Sequence, residues 1–309
     1  MLKEMMRPVV AEIVHHLRTV KVGHRIADSG VAKWVCGNGI GLATLRCGAT
    51  AVVPMGDYVG RAMYLWGESD PRITDVIGAV LQPGDTMFDI GANLGVTGLF
   101  ASSRVGPRGR VHLFEPQPYV AQLLRTSLMI NGYSQATLHE VALSDRRGPI
   151  EMEVHGPDNL GMTRVVSPGT RCVGQTLHVI GEEAGDYIER LDCRHVPLVK
   201  LDVEGHESVI LRALRESILA LRVSVILFEC HLGDGEFWEQ ESVQCLAEMG
   251  FEFLAFDMKP IWSTKLYPVT RHQRRPPGHD YVAVRVAELR DETRKQLEAM
   301  VAPFGLKWS

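Results

Sequence analysis

The chain has 309 residues, 45% of them hydrophobic and 23% charged, with a formal net charge of −4, which suits one main domain with an appendage and a real core. That charge gives no reason to expect nucleic acid or an anionic membrane as partner, and no stretch has the length and apolarity of a membrane span or a signal peptide. A cytoplasmic protein acting on small molecules is the expectation, and Cys36, Cys47, Cys172, Cys193, Cys230 and Cys245, with no Cys-x-x-Cys pair, signal neither a zinc site nor a disulfide framework.

Val9, Val10, Ile13, Val14 and Leu17 recur at helical spacing. They predict an amphipathic first helix that packs on the main domain or on a second subunit, which is compatible with a homodimer. Glycine-punctuated β-prone runs, Leu42–Arg46 and Ala51–Val53, predict hairpins. Together these form an N-terminal cap over residues 1–80. From residue 81 strands and helices alternate, the mark of right-handed crossovers in a parallel sheet, so residues 81–286 are read as the main domain. Its first four strands run into or close on Asp85–Gly95, Arg110–Pro116, Glu140–Asp145 and Val199–Glu207, followed by a continuous apolar fifth strand, Val223–Cys230. Helices are expected over Gln117–Asn131 and His206–Leu221. The last strands, Phe251–Phe256 and Asp280–Val286, flank a Pro- and Arg-rich loop from Met258 to Gly278 that could act as a lid. Residues 287–309 are a tail, with a charged, solvated helix over Ala287–Met300.

The chemistry concentrates where strands run out. At Asp85–Gly95 a short apolar strand enters a small-residue turn and then an apolar helix, the build of a nucleotide-binding loop. Gly91 and Gly95 allow close backbone approach, and Asp89 sets a carboxylate near the strand end, where open α/β sheets bind ligands. The turn reads Gly91-Ala92-Asn93-Leu94-Gly95 and lacks the full Gly-x-Gly-x-x-Gly fingerprint. That counts against a nicotinamide-dependent oxidoreductase. Glu115 ends the next strand and can accept both hydroxyls of a ribose, which indicates an adenosine-type ligand.

Four blocks, Phe88–Gly95, Phe114–Pro118, Val141–Asp145 followed by Gly148, and Val199–Glu207, resemble those of the FkbM-type S-adenosylmethionine-dependent methyltransferases. The resemblance covers roughly residues 60 to 232; the segment Tyr187–Asp192 departs from the family's usual Thr-Leu-Asp. It implies a class I, Rossmann-like fold, a doubly wound, mostly parallel seven-stranded sheet. It also implies S-adenosylmethionine as cofactor, with S-adenosylhomocysteine as product, and O-methylation of a sugar or natural-product hydroxyl in secondary metabolism. N-methylation of a small-molecule amine is the alternative. On this pattern Asp89, Gly91, Ala92, Asn93, Glu115, Pro116 and Asp202 bind the cofactor, Ala142 and Asp145 lie near its adenine, and Glu68 belongs to a short motif near it. Asp202, Glu204 and His231 are the catalytic candidates, with His206 a weaker fourth. No metal is expected, although Asp202, Glu204, Glu229 and His231 bear donors suited to magnesium. Two plainer readings stand beside these: Lys200 and Asp202 as an ion pair on one strand face, and Glu207 as a helix cap.

Overall fold

A computed structural model describes residues 27–154, 156, 158–166, 172, 174–257, 263–301 and 308. The expected first helix lies outside them, as does the start of the expected lid, residues 258–262. The elements run α1 (Gly30–Cys36), β1 (Ile40–Thr44), β2 (Thr50–Pro54), α2 (Tyr58–Trp66), α3 (Pro71–Val80), β3 (Thr86–Ile90), α4 (Val96–Val105), β4 (Arg110–Phe114), α5 (Pro118–Ile130) and β5 (Ala136–His139). They continue with β6 (Ala142–Ser144), β7 (Gly148–Val154), β8 (Arg164–Val165), β9 (Gln175–Glu183), α6 (Ala184–Glu189), β10 (Leu198–Leu201), α7 (Glu207–Ala213), α8 (Arg215–Ala220) and β11 (Val225–Glu229). The last are α9 (Glu241–Glu248), β12 (Glu252–Phe256), β13 (Leu266–Pro268), β14 (Asp280–Val284) and α10 (Asp291–Val301).

Short apolar runs become strands because both their faces are covered. In β3, Met87 packs into one core with Leu99, Leu124 and Leu297, while its neighbour Phe88 packs into another with Ile188, Ile210 and Leu246. Residues that alternate along a strand thus serve opposite cores, as a doubly wound sheet requires. Helix starts are set locally: the side chains of Asp57 and Asp70 accept from the Gly60 and Arg72 amides, and Pro71 stands in the first turn of α3.

The large sheet has the order β13-β12-β14-β11-β10-β3-β4-β5. Strands β11, β10, β3, β4 and β5 are parallel, and β14 runs antiparallel between β11 and β12. This is the expected α/β sheet of seven strands with an eighth, β13, added antiparallel at its edge. From β3 the chain winds outward through β4 and β5, then returns to β10 on the other side of β3. The loops after β3 and β10 therefore part at a topological switch point, where such sheets bind ligands beyond their carboxyl ends.

Three details differ from the sequence reading. The segment Glu140–Asp145 is not the sheet's third strand: β5 pairs with β4, and β6 starts a separate four-stranded sheet, β6-β9-β7-β8. The helix expected over His206–Leu221 is two, divided at Leu214. The tail helix is only partly solvated, because α10 buries Thr293, Leu297 and Val301, and Arg290 before it pairs with Asp85 at 2.7 Å. The hairpin β1–β2 forms as expected, and Ala43 and Val53 share the core of α3 and α4. Among the described residues no helix is long and apolar enough to cross a membrane.

Candidate active site

The loop after β3 is shaped by backbone proximity. Gly91 has φ 79°, and a Cβ there would collide with the Asp202 carbonyl, so the ends of β3 and β10 meet without intervening side chains. Asn93 is also left-handed, at φ 48°. Gly95 precedes α4 with no side-chain cap, which leaves the helix's first amides for a ligand. Glu115, just beyond β4, is buried, and both its oxygens are held by backbone: Oε2 accepts from Asn93 N–H and Oε1 from Gln117 N–H, each at 2.9 Å. Burial pushes its carboxyl up to about 7, and the two amides act against that rise.

A second group gathers beyond β10, β11 and β14. Asp89 is fully buried and accepts from Thr97 Oγ1 at 2.6 Å. Burial raises its pKa, and the Lys200 ammonium 3.7 Å away pulls it back. Lys200 Nζ also donates to the Gly91 carbonyl at 3.1 Å and pairs with Asp202 at 3.1 Å. Burial alone would lower the Lys200 pKa, but Asp202 and then Asp89 outweigh it and keep the group a cation. The ion pair read from the sequence is thus present, within a larger arrangement. Glu207 caps the turn, accepting from Val203 and Gly205 amides.

The remaining carboxylates are crowded. Burial, then Asp202, pushes Glu204 up to about 7. Glu229 rises to about 9 through burial, then Asp202 and Glu204. Its Oε1 lies 3.1 Å from His231 Nε2, and its Oε2 is buried without a hydrogen-bond partner. Asp280 faces Glu229 across the β11–β14 pairing; burial, then Asp70, pushes it up to about 7, although Arg72 bridges both aspartates. Donor atoms of Glu204, Glu229 and His231 lie within 4.8 Å of one another, so these three could hold a divalent ion.

Both groups border one cavity of about 340 Å³. Of the residues expected from sequence, Gly91, Ala92, Asn93, Glu115, Pro116, Ala142, Asp202 and Glu204 line it, as does His206, which bonds Ser144 Oγ at 3.0 Å. Four do not line it. Glu68 turns to Arg46 at 2.6 Å and to Thr74. Asp89 lies beneath the floor, Asp145 accepts from Ser144 Oγ, and His231 stands half-exposed behind Glu229. Lining residues that sequence reasoning missed include Asp70, Gln117, Asp280 and, from the second sheet and the turn before β8, Met152, Thr163 and Val165. Only strand register would have revealed Asp280, since nothing local marks it.

The sequence pattern described as Methyltransferase FkbM domain matches residues 89–253. A 31-O-demethyl-FK506 methyltransferase FkbM from Streptomyces tacrolimicus is 26% identical over 221 residues, covering 62% of this chain and 82% of that one. Among solved structures, a precorrin-6y C5,15-methyltransferase from Geobacter metallireducens GS-15 superposes with TM-score 0.38 at 16% identity, over 69% of this chain and 87% of that one. Aeropyrum pernix fibrillarin with natively bound S-adenosyl-L-methionine also superposes with TM-score 0.38, at 14% identity over 80% and 94%.

Proposed function

The chain belongs to the FkbM-domain methyltransferase family, and we propose that it moves the methyl group of S-adenosylmethionine onto a hydroxyl oxygen of a sugar or natural-product small molecule. The observation that carries this reading is the continuity of the cavity, in which Gly91–Asn93 and Glu115 share one space with Asp202 and Glu204. The first set suits the cofactor: Glu115 accepts from the ribose hydroxyls, the loop amides approach the methionine end, and Ala142 leaves room beside the adenine. The neighbouring carboxylates favour a ligand that carries a sulfonium and an ammonium.

Transfer is an in-line displacement. A bond forms between acceptor oxygen and methyl carbon, the sulfur–methyl bond breaks with its electron pair going to sulfur, and the hydroxyl proton goes to a base. Holding oxygen and methyl in line supplies up to about 7 to 11 kcal/mol. Asp202 and Glu204, which line the cavity together with Glu229 and Asp280, are the carboxylates assigned to the acceptor, and His231 contacts Glu229. The oxygen acceptor is further supported by the 31-O-demethyl substrate in the name of the Streptomyces relative.

Calorimetric titration with S-adenosylmethionine, S-adenosylhomocysteine and NADH tests the cofactor; binding of NADH alone, or of none, rejects the proposal. Methyl-¹³C cofactor is then incubated with a panel of sugars, hydroxylated macrocycles and amines. A new O-methyl carbon resonance is the expected product, and an N-methyl resonance would reassign the acceptor atom.

A further inference from the structure

We propose that Lys200 is a positioning residue for methyl transfer, an ammonium clamp that fixes the cofactor loop after β3 against the acid-bearing loop after β10. The inference rests on the methyltransferase reading of the cavity. Lys200 is set opposite Asp89 by the parallel register of β10 with β3, so the two side chains share one face of the sheet. The plain role for such a lysine is to neutralise a buried carboxylate. The distances indicate more. Asp89 is the farthest of its partners, at 3.7 Å, and already has the Thr97 hydroxyl at 2.6 Å. The two contacts at hydrogen-bond distance, both 3.1 Å, go to the Gly91 carbonyl and the Asp202 carboxylate, on two residues that line the cavity as Lys200 itself does.

Those two groups belong to opposite sides of the switch point. Backbone already joins the loops, since Asp202 N–H donates to the Ile90 carbonyl at 3.1 Å. Lys200 adds what backbone cannot, a fixed direction for the Asp202 side chain relative to the Gly91 carbonyl. Its side chain is only 12% exposed, so water does not substitute for it easily. In-line transfer is sensitive to such registration, because a misplacement of about 1 Å costs on the order of 10²-fold.

A charge-balanced double variant separates clamp from counterion. Lys200→Met, Asp89→Asn and the pair Asp89→Asn/Lys200→Met are compared with the unaltered protein by thermal unfolding and by calorimetric titration with S-adenosylmethionine. Lys200→Met alone strands Asp89 and is expected to lower both melting temperature and affinity. In the double variant no buried charge is stranded, since Asp202, the other carboxylate that Lys200 pairs with, is 42% exposed, so its melting temperature returns toward that of Asp89→Asn, while its affinity stays about tenfold or more below that of Asp89→Asn. Affinity within about twofold of Asp89→Asn would overturn the clamp and leave Lys200 a counterion. Failure of the unaltered protein to bind S-adenosylmethionine is a distinct result and overturns the methyltransferase reading together with the clamp.

Discussion

Glu115, buried, and Glu229, half-buried, are carboxylates at the same edge of one sheet, yet their surroundings are opposite. Glu115 has a backbone amide on each oxygen, from Asn93 and Gln117. Glu229 has the His231 imidazole on one oxygen, nothing on the other, and Asp202, Glu204 and Asp280 as charged neighbours. Backbone donors are fixed by the fold and lose no side-chain freedom when they bind, so the half of the cavity proposed for the cofactor is organised before any ligand arrives. The half proposed for the acceptor is organised by repulsion and by two cations, Lys200 and Arg72, each shared between aspartates. Among the described residues Glu204 and Glu229 have no cation of their own, and their carboxyls are pushed up to about 7 and about 9, by burial first and neighbouring acids second.

The largest effect that tests this contrast is on turnover. With an acceptor from the screen, Glu204→Gln is expected to lower kcat by about 10²- to 10⁴-fold, the range for loss of a general base. Its affinity for S-adenosylmethionine should stay near that of the unaltered protein. Unchanged kcat would remove Glu204 from the chemistry and pass the role to Asp202. Next comes Glu115→Ala. Two hydrogen bonds to a charged group, about 1.5 to 3 kcal/mol each, put the loss of cofactor affinity at about 10²-fold or more. Unchanged affinity in calorimetry would show that the amide-held carboxylate is a loop brace and not a ligand.

The same residue sharpens the comparison through pH. Glu115 sits at about 7 in the free protein, and a ribose holds its ionised form. A bound form with the lower pKa means that affinity for S-adenosylmethionine is full above pH 7 and falls as pH drops through 7. The change between pH 8 and pH 6 is about tenfold. Titrations in Glu115→Gln should lose that slope; a slope that persists would belong to another group.

The part of the cavity around Gly91–Asn93 and Glu115 was legible in the sequence because its signals are local. One strand, one turn and one helix start lie within Asp85–Val105, and Glu115 ends the next strand. The acceptor half was legible only in part. Asp202 and Glu204 follow β10 directly, but Asp280 enters through its register with Glu229, and Lys200 reaches Gly91 through the register of β10 with β3. Pairings of that kind join segments far apart in the chain, and no periodicity encodes them. The second sheet was missed for a related reason: β9 reads Gln-Thr-Leu-His-Val-Ile-Gly-Glu-Glu, too polar to stand out until β7 lies beside it. The family resemblance puts Glu68 and Asp145 near the cofactor, and His231 is the base expected beyond the fifth strand, yet their side chains turn to Arg46, Ser144 and Glu229.

The smallest expected effect bears on the acids themselves. Glu204, Glu229 and His231 have the spacing of a cation site, and a divalent ion there would supply the missing positive charge of the acceptor half. Two features act against it. Glu229, at about 9, holds a proton at neutral pH, and a metal must displace that proton before the oxygen can bind. His231 Nε2 is already engaged with Glu229 Oε1. Dialysis against EDTA is therefore expected to leave turnover within about twofold. Loss of activity that magnesium restores, and that Glu229→Gln prevents it from restoring, would turn the repelling acids into ligands. The two halves would then differ in the kind of charge that organises them, fixed dipoles for the cofactor and an exchangeable ion for the acceptor.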